Sequence, residues 1–490
     1  MQKINTVICI GNGSAEVDQF ATATAEVFGL HYHGVLNSDT LLEDGIYHTS
    51  IYDIKLQELK DKVNKTVKIV VVDQDQSVYP GPNEYHRTID LAEGLHKLAQ
   101  VEFINPSMSN PFRAIVKEHT SFCIMPFISL FKKEDKIKSC CYMDDNKIKT
   151  TEMDIDDIKG RIVMGLPVTA CNHCYQLERA GAISPRQIYT IDWSHRLNLK
   201  SIEDVERTVR VDYDIRLNNE CNAMCRSCNP QTSNLLGREY FKLNLVDSDP
   251  GLTPLTDYDV IDLETVQRVY ISGGEPTIQP TLFDFLDKCI ANKRTDFEIV
   301  INTNAAVVSR RVIDTVKQFT NLKFEISIDG FGEANYYIRY PIKWDKFVDN
   351  VATLNEITNG KVTFNTVVSI YNIARLYPLF EFLEKTYPAS RYNVSFLLEP
   401  IEQRFRHFTN KELALANVAQ IKRLNAYRTN EVFNSQINSI IEQLKTTDPN
   451  FAQLEQFFEF NDRLDVSRCV KLIDYIPELE ECRDKITKPI

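Results

Sequence analysis

The stretch at residues 211–230, VDYDIRLNNECNAMCRSCNP, decides how the chain is read. VDYDIRL is a strand-like run rich in β-forming residues. Only Asn218, Asn219 and Glu220 separate it from three cysteines, Cys221, Cys225 and Cys228, at a C-x3-C-x2-C spacing. In parallel α/β barrels, chemistry gathers at the C-terminal ends of strands. The triplet therefore stands where a site is expected. A structural zinc site takes four ligands. No fourth Cys or His follows closely here, and the nearest upstream are His195 and Cys174.

Outward from this stretch, strand-like runs recur over residues 206–405: RVYISGG, FEIVINTN, KFEISIDG, KVTFNTVVS and YNVSFLLEP. The stretches TLFDFLDKCIANK, RRVIDTVKQF, WDKFVDNVATLNEI and LYPLFEFLEKTY have helical spacing of apolar residues and separate most of them. Strands alternating with helices indicate a parallel sheet. Six such units fall short of the roughly eight that close a full barrel, so an open, partial (β/α)6 TIM-like barrel is expected. Residues 1–112 read as a small α/β domain, with strands in TVICIG, VKIVVVDQD and VEFI and helices in AEVDQFATATAEVFGL and TIDLAEGLHKLAQ. YPGPNEY reads as a loop. The GNGS after the first strand stands where a phosphate can be cradled, with a plain turn as the alternative. Residues 113–205 are less regular and rich in cysteine, and residues 406–490 read as a helical extension.

Composition narrows the function classes. The chain has 490 residues, 43% hydrophobic and 25% charged, as a folded protein of several domains should. Its formal net charge is −12 and it has no long Lys/Arg stripe, which disfavours nucleic acid as the main partner. The N-terminal apolar run VICI is too short for a signal-peptide core, and no run approaches the ~18 residues of a membrane span. A cytoplasmic protein is expected. In that reducing compartment the 12 cysteines point to metal binding or catalysis rather than a disulfide framework.

A 4Fe–4S cluster held by three thiolates leaves one iron open for another ligand, which makes the missing fourth cysteine a functional opening. CNAMCRSC followed by ISGGEP at 271–276 resembles the radical S-adenosylmethionine enzymes. That resemblance implies that Cys221, Cys225 and Cys228 hold the cluster and S-adenosylmethionine chelates the open iron. Reductive cleavage would then give a 5′-deoxyadenosyl radical that takes hydrogen from substrate. It further implies cofactor contacts from Gly273, Gly274, Glu275 and Pro276, from Asn304, from Ser327 and Asp329, and from Arg339. Glycines let backbone approach closely, Glu275 can accept from an amino group, and Arg339 can pair with a carboxylate. One departure is Ser227, where many members carry an aromatic residue before the third cysteine.

Upstream, Cys123, Cys140, Cys141, Cys171 and Cys174 resemble the auxiliary-cluster modules called SPASM or twitch, although such modules more often follow the core. The resemblance implies an auxiliary 4Fe–4S cluster on Cys123, Cys140, Cys171 and Cys174. Cys140 is chosen over Cys141 by counting from a turn position at Asp135. Structural zinc on four of these cysteines, or on three with His173, is the alternative, and buried thiols without metal are a third reading. The substrate implied is a peptide or a small molecule, with an electron donor such as flavodoxin or ferredoxin. RNA modification and a catalytically silent metal-bound scaffold are the competing classes.

Overall fold

The computed structural model describes residues 6–11, 32–35, 45–50, 67–72, 100–104, 111–118, 121–134, 136–144, 155–179 and 183–487. These fall into two compact units, Met1–His119 with Tyr189–Asp204, and Thr120–Ile188 with Val205–Ile490.

The first unit contains β1 (Thr6–Gly11), β2 (Tyr32–Val35), β3 (Gly45–Ser50), β4 (Val67–Val72) and β5 (Gln100–Ile104). They form one parallel sheet in the order β2-β3-β1-β4-β5. Three of these strands are legible as apolar runs. β2 (YHGV) and β3 (GIYHTS) escape because glycine, histidine and serine dilute their hydrophobic signal. β1 is central and ends at Gly11, where GNGS begins. The rest of GNGS, both expected helices and the YPGPNEY loop lie outside the described residues.

The second unit is built on β6 (Ser129–Lys133), β7 (Lys136–Lys138), β8 (Asp212–Arg216), β9 (Arg268–Ser272), β10 (Glu298–Thr303), β11 (Leu322–Ser327), β12 (Val362–Val368) and β13 (Arg391–Phe396). The sheet order is β13-β12-β11-β10-β9-β8-β6-β7. The six expected strands are all present, in chain order and parallel. Two further strands come from the cysteine-rich segment. β6 pairs parallel with β8, and β7 folds back antiparallel on β6. Their sequences, SLFKK and KIK, are short and lysine-rich, so they carry little strand signal.

The helices used below are α1 (Asn172–Arg179), α2 (Asn234–Lys242), α3 (Pro280–Ala291), α4 (Arg310–Val316), α5 (Glu333–Ile338), α6 (Trp344–Ile357), α7 (Leu376–Thr386), α8 (Lys411–Gln420), α9 (Glu431–Thr446) and α10 (Phe451–Arg468). The last three bear out the helical reading of the C-terminal extension. Among the described residues no helix is long and apolar enough to cross a membrane.

Alternation along the strands sorts the sheet's two faces. Val269, Ile271, Ile299, Ile301, Phe324, Ile326 and Phe364 are buried in one core with Leu282, Phe285, Phe347, Val351, Leu379 and Phe380 of α3, α6 and α7. Most of the intervening residues are polar, Val300 excepted. Tyr270 donates its hydroxyl to Glu325 at 2.6 Å, and Asn393 Nδ2 donates to the same carboxylate at 3.1 Å. β9 and β11 are not neighbours in the sheet, nor are β11 and β13. Contacts that skip a strand require a curved sheet with these residues on its inner side, as in a barrel.

The polar face is also tied by buried ion pairs, Arg268 with Asp212 at 2.7 Å and Lys323 with Glu298 at 2.9 Å. Removing one partner of such a pair strands a charge, whereas replacing both is far less costly. Lys323→Met is expected to lower the unfolding free energy by about 3–5 kcal/mol in urea titration. Lys323→Met with Glu298→Leu should recover most of that loss.

Candidate active site

The cysteine loop leaves β8 and is held from several directions. Leu217 N donates to Ser272 O at 2.7 Å, and Glu275 N donates to Glu220 O at 2.8 Å. Asn219 reaches a downstream loop, donating to Gly251 O at 2.9 Å and accepting from Thr253 N at 2.9 Å. Cys221 N donates to Asn234 Oδ1 at 3.2 Å, and Ser233 Oγ donates to Ala223 O at 2.8 Å while capping α2. On the far side, Met224 N and Arg226 N donate to Tyr340 O and Ile338 O, at 2.7 and 2.8 Å.

The three thiols act on one another. Burial raises the pKa of Cys221 to about 12, with Cys225 the next cause and Cys228 a smaller one. Burial likewise pushes Cys225 up to about 11, opposed first by Arg339. Cys228 is also raised by burial and is opposed by its hydrogen bond with Thr232 at 3.2 Å. Binding a metal group here means displacing those protons. Ser227 is half-buried. An aromatic ring stands near Cys228 from elsewhere: Tyr240 of α2, packed with Leu236 and Leu464.

The GGEP turn closes on this loop. Gly273 has φ +97° and Gly274 φ +41°. A Cβ on Gly273 would lie 2.6 Å from Leu217 O, and one on Gly274 only 2.0 Å from Glu220 O. The structure thus places the close backbone approach expected of these glycines against the chain itself. Glu275 is 1% exposed. Its Oε1 accepts from Thr277 N, Thr277 Oγ1 and Thr303 Oγ1 at 3.1, 2.6 and 2.7 Å, and its Oε2 accepts from Asn304 N at 2.7 Å. Burial raises its pKa and these donors oppose the rise. Oε2 keeps one acceptor position, so most of this carboxylate serves the protein. Pro276 opens the short turn Pro276–Ile278 that Glu275 caps.

Asn304 donates to Asn222 Oδ1 at 2.7 Å and lies 3.9 Å from Cys221 Sγ. Ser327 ends β11, half-buried and on the polar face with Glu325. Asp329 and Arg339 meet directly, Nη1 to Oδ2 at 2.7 Å, and Asp329 Oδ1 accepts from Val367 N at 2.8 Å. Arg339 Nε is buried with no hydrogen-bond partner. The charge of this guanidinium is felt by both Cys225 and Cys228.

The upstream cysteines also gather. Cys123 precedes β6, Cys140 and Cys141 follow β7, and Cys171 and Cys174 sit at the start of α1. Asp144 N donates to Ala170 O at 3.0 Å, and the Tyr142 ring stacks on His173 at 5.2 Å. Burial raises Cys123, with Cys171 and Cys174 the next causes. Burial pushes Cys171 up to about 12 and Cys174 to about 11. Cys140 is raised first by its hydrogen bond with Cys141, then by burial, and it also feels Cys123. Its Sγ accepts from Tyr142 N at 3.5 Å. On the barrel's polar face, burial raises the pKa of Asp214, opposed first by Arg216 and least by Cys141. Arg186 donates to Phe122 O at 2.7 Å and pairs with Glu178 at 2.7 Å. Asp135, the expected turn position, lies outside the described residues.

Among the described residues no three His, Cys, Asp or Glu side chains gather closely enough to hold a single ion. All eight cysteines of the two groups are free thiols. The fit to a cluster with S-adenosylmethionine therefore rests on the donor set. Three soft thiols share one loop, and beside them lies a buried guanidinium whose Nε lacks a partner. These suit an iron–sulfur group and an anionic carboxylate.

Several residues that build the site escape sequence reasoning. Gln279 is fully buried and donates to Glu220 O at 3.1 Å. Arg226, inside the motif, binds Asn461 and Asp465, 235 and 239 positions away. No spacing rule points across such a distance.

Fold and site together define a partial α/β barrel with a three-thiol loop at the end of its first core strand. Residues 215–383 match the family model of the Radical SAM superfamily, and a radical SAM domain in this segment implies an enzyme. That domain is one of a 4Fe–4S cluster and S-adenosylmethionine. None of the curated proteins matches the sequence. Among solved structures, the chain is similar to anSMEcpe with bound AdoMet, at 12% identity and TM-score 0.31, covering 43% of this chain and 60% of that one. It is similar to Streptococcus suis SuiB bound to S-adenosylmethionine, at 15% identity and TM-score 0.30, covering 72% and 60%. It is also similar to the radical S-adenosylmethionine methyltransferase TsrM from Kitasatospora setae, at 9% identity and TM-score 0.28, covering 86% and 75%. The chain thus spans 60% of each of the first two.

Gly274→Ala puts a methyl into backbone that cannot yield, at a positive φ. It is expected to cost more than ~1 kcal/mol of stability and to lower the iron retained after anaerobic reconstitution. Gly160→Ala, with nothing within 4 Å of its added Cβ, is the comparison and should melt no lower than the parent.

Proposed function

We propose that Cys221, Cys225 and Cys228 hold the 4Fe–4S cluster of a radical enzyme acting on a peptide or small molecule. The observation that carries this reading is the placement of three free thiols on one loop at the end of β8, beside the unpartnered Nε of Arg339. When bound, the cluster and S-adenosylmethionine supply one-electron cleavage of the sulfonium C–S bond and, through it, hydrogen abstraction. The chain's residues do the rest. Arg339, oriented by Asp329, offers its Nε to the cofactor's carboxylate. Oε2 of Glu275 has one acceptor position for the cofactor's amino group. Gly273, Gly274 and Pro276 fix the turn beneath the cofactor. Asn304 braces Cys221, and Ser327 contributes a hydroxyl at the mouth of the barrel. Arg216, Ser272, Tyr270 and Asn393 give the inner face hydrogen-bonding groups of both signs, which suits a polar substrate such as a peptide.

Cys123, Cys140, Cys171 and Cys174 hold a second, auxiliary 4Fe–4S cluster in this reading. Cys140 is preferred over Cys141 by the family's spacing from a turn position, which falls at Asp135 here. Four thiolates close that site, which favours electron relay or structural support. A flavodoxin or ferredoxin would supply electrons.

Anaerobic reconstitution with iron and sulfide is expected to load about eight irons per chain. Dithionite and S-adenosylmethionine should then yield 5′-deoxyadenosine. Replacing Cys221, Cys225 and Cys228 together by alanine should abolish that product and remove about half the iron. Product surviving the triple change would refute the assignment. Zinc retained by the triple variant would replace the auxiliary cluster with a structural zinc site.

A further inference from the structure

Arg226 lies between the second and third cysteines, and its side chain is fully buried. Its Nη2 donates to Asp465 Oδ1 at 2.6 Å and its Nη1 to Asn461 Oδ1 at 2.8 Å. Its Nε donates to Tyr337 O at 3.1 Å, and the guanidinium lies 3.7 Å from the centre of the Tyr337 ring. Tyr337 donates its hydroxyl to the same Asp465 oxygen at 2.8 Å, while Asp465 Oδ2 accepts from Leu472 N at 2.6 Å. Asn461 and Asp465 both stand on α10. A second tie runs alongside: Arg468 at the end of α10 pairs with Glu239 of α2 at 2.6 Å and stacks near the Tyr340 ring at 4.9 Å.

We infer that α10 is a positioning brace for the cluster, with Asp465 acting through Arg226 to fix Cys225 and Cys228. The inference rests on the radical reading above. The loop is short, and its backbone already binds the end of α5 at Ile338 and, just beyond it, Tyr340. A desolvated guanidinium bonded through each of its three nitrogens adds what backbone bonds do not, namely one orientation of the residue that follows Cys225. A surface ion pair would not do this. A buried one, broken on one side, leaves an unpaired charge next to Cys225.

The test is electron paramagnetic resonance of the reconstituted, reduced full-length protein, titrated with S-adenosylmethionine. Asp465→Asn keeps the shape and removes the charge. It is expected to broaden the core cluster's signal and to weaken the S-adenosylmethionine-induced change, raising the apparent Kd about tenfold, as loss of one charge-assisted bond would. Asp465→Glu, which keeps the charge, should recover most of the effect. Tyr337→Phe removes one hydrogen bond from the same carboxylate and carries the test if Asp465→Asn does not fold. An unchanged spectrum and Kd in the folded variants, with only a lower Tm, would overturn the inference. If the parent protein shows no S-adenosylmethionine-responsive signal, the radical reading itself falls, and the brace with it.

Discussion

The rest of the site depends on the packing of one stretch of backbone on another. Gly273 and Gly274 press against Leu217–Glu220 so closely that no side chain fits between. This contact brings the end of β9 onto the root of the cysteine loop. Glu275 then takes its carboxylate out of water and collects four donors from Thr277, Thr303 and Asn304. A buried carboxylate is costly unless it is bonded in this way. The arrangement therefore locks the ends of β8, β9 and β10 into one platform. Gln279 adds a further link between the loop and the turn.

The core's six strands were legible because each is an apolar or alternating run bounded by turn residues. The site motifs were legible because local chemistry demands them: thiols for soft ligation, glycines where backbone meets backbone. What those glycines approach was not legible, since it depends on a strand 50 or so residues away. β6 and β7 were missed for the opposite reason. Their lysines look like solvent residues, yet Lys132 is buried and pairs with Asp257 at 2.7 Å. Tertiary pairing to β8 overrides their weak local preference.

Arg226 and Asp465 show the same limit in charge. Each is an ordinary polar residue in sequence, one in a loop and one on a helix with aromatic neighbours. Only folding brings them together, and only burial makes the pair matter. The longest helix of the C-terminal extension thereby becomes part of the loop's support. An extension read from sequence as a mere addition is joined to the motif at its centre.

The sheet also relates the two thiol groups. β6 leaves the segment after Cys123 and pairs with β8, and β8 runs directly into the loop of Cys221. On the polar face, Asp214 pairs with Arg216 at 2.9 Å, and Arg216 bonds Ser272 beside the glycine turn. The guanidinium of Arg216 lies between the rings of Phe131 and Tyr270, at 5.5 and 5.4 Å. Strands of one sheet move little relative to each other, because every residue shares ladder bonds with its neighbours. The upstream group is in this sense joined to the wall of the barrel through β6 rather than attached beside it.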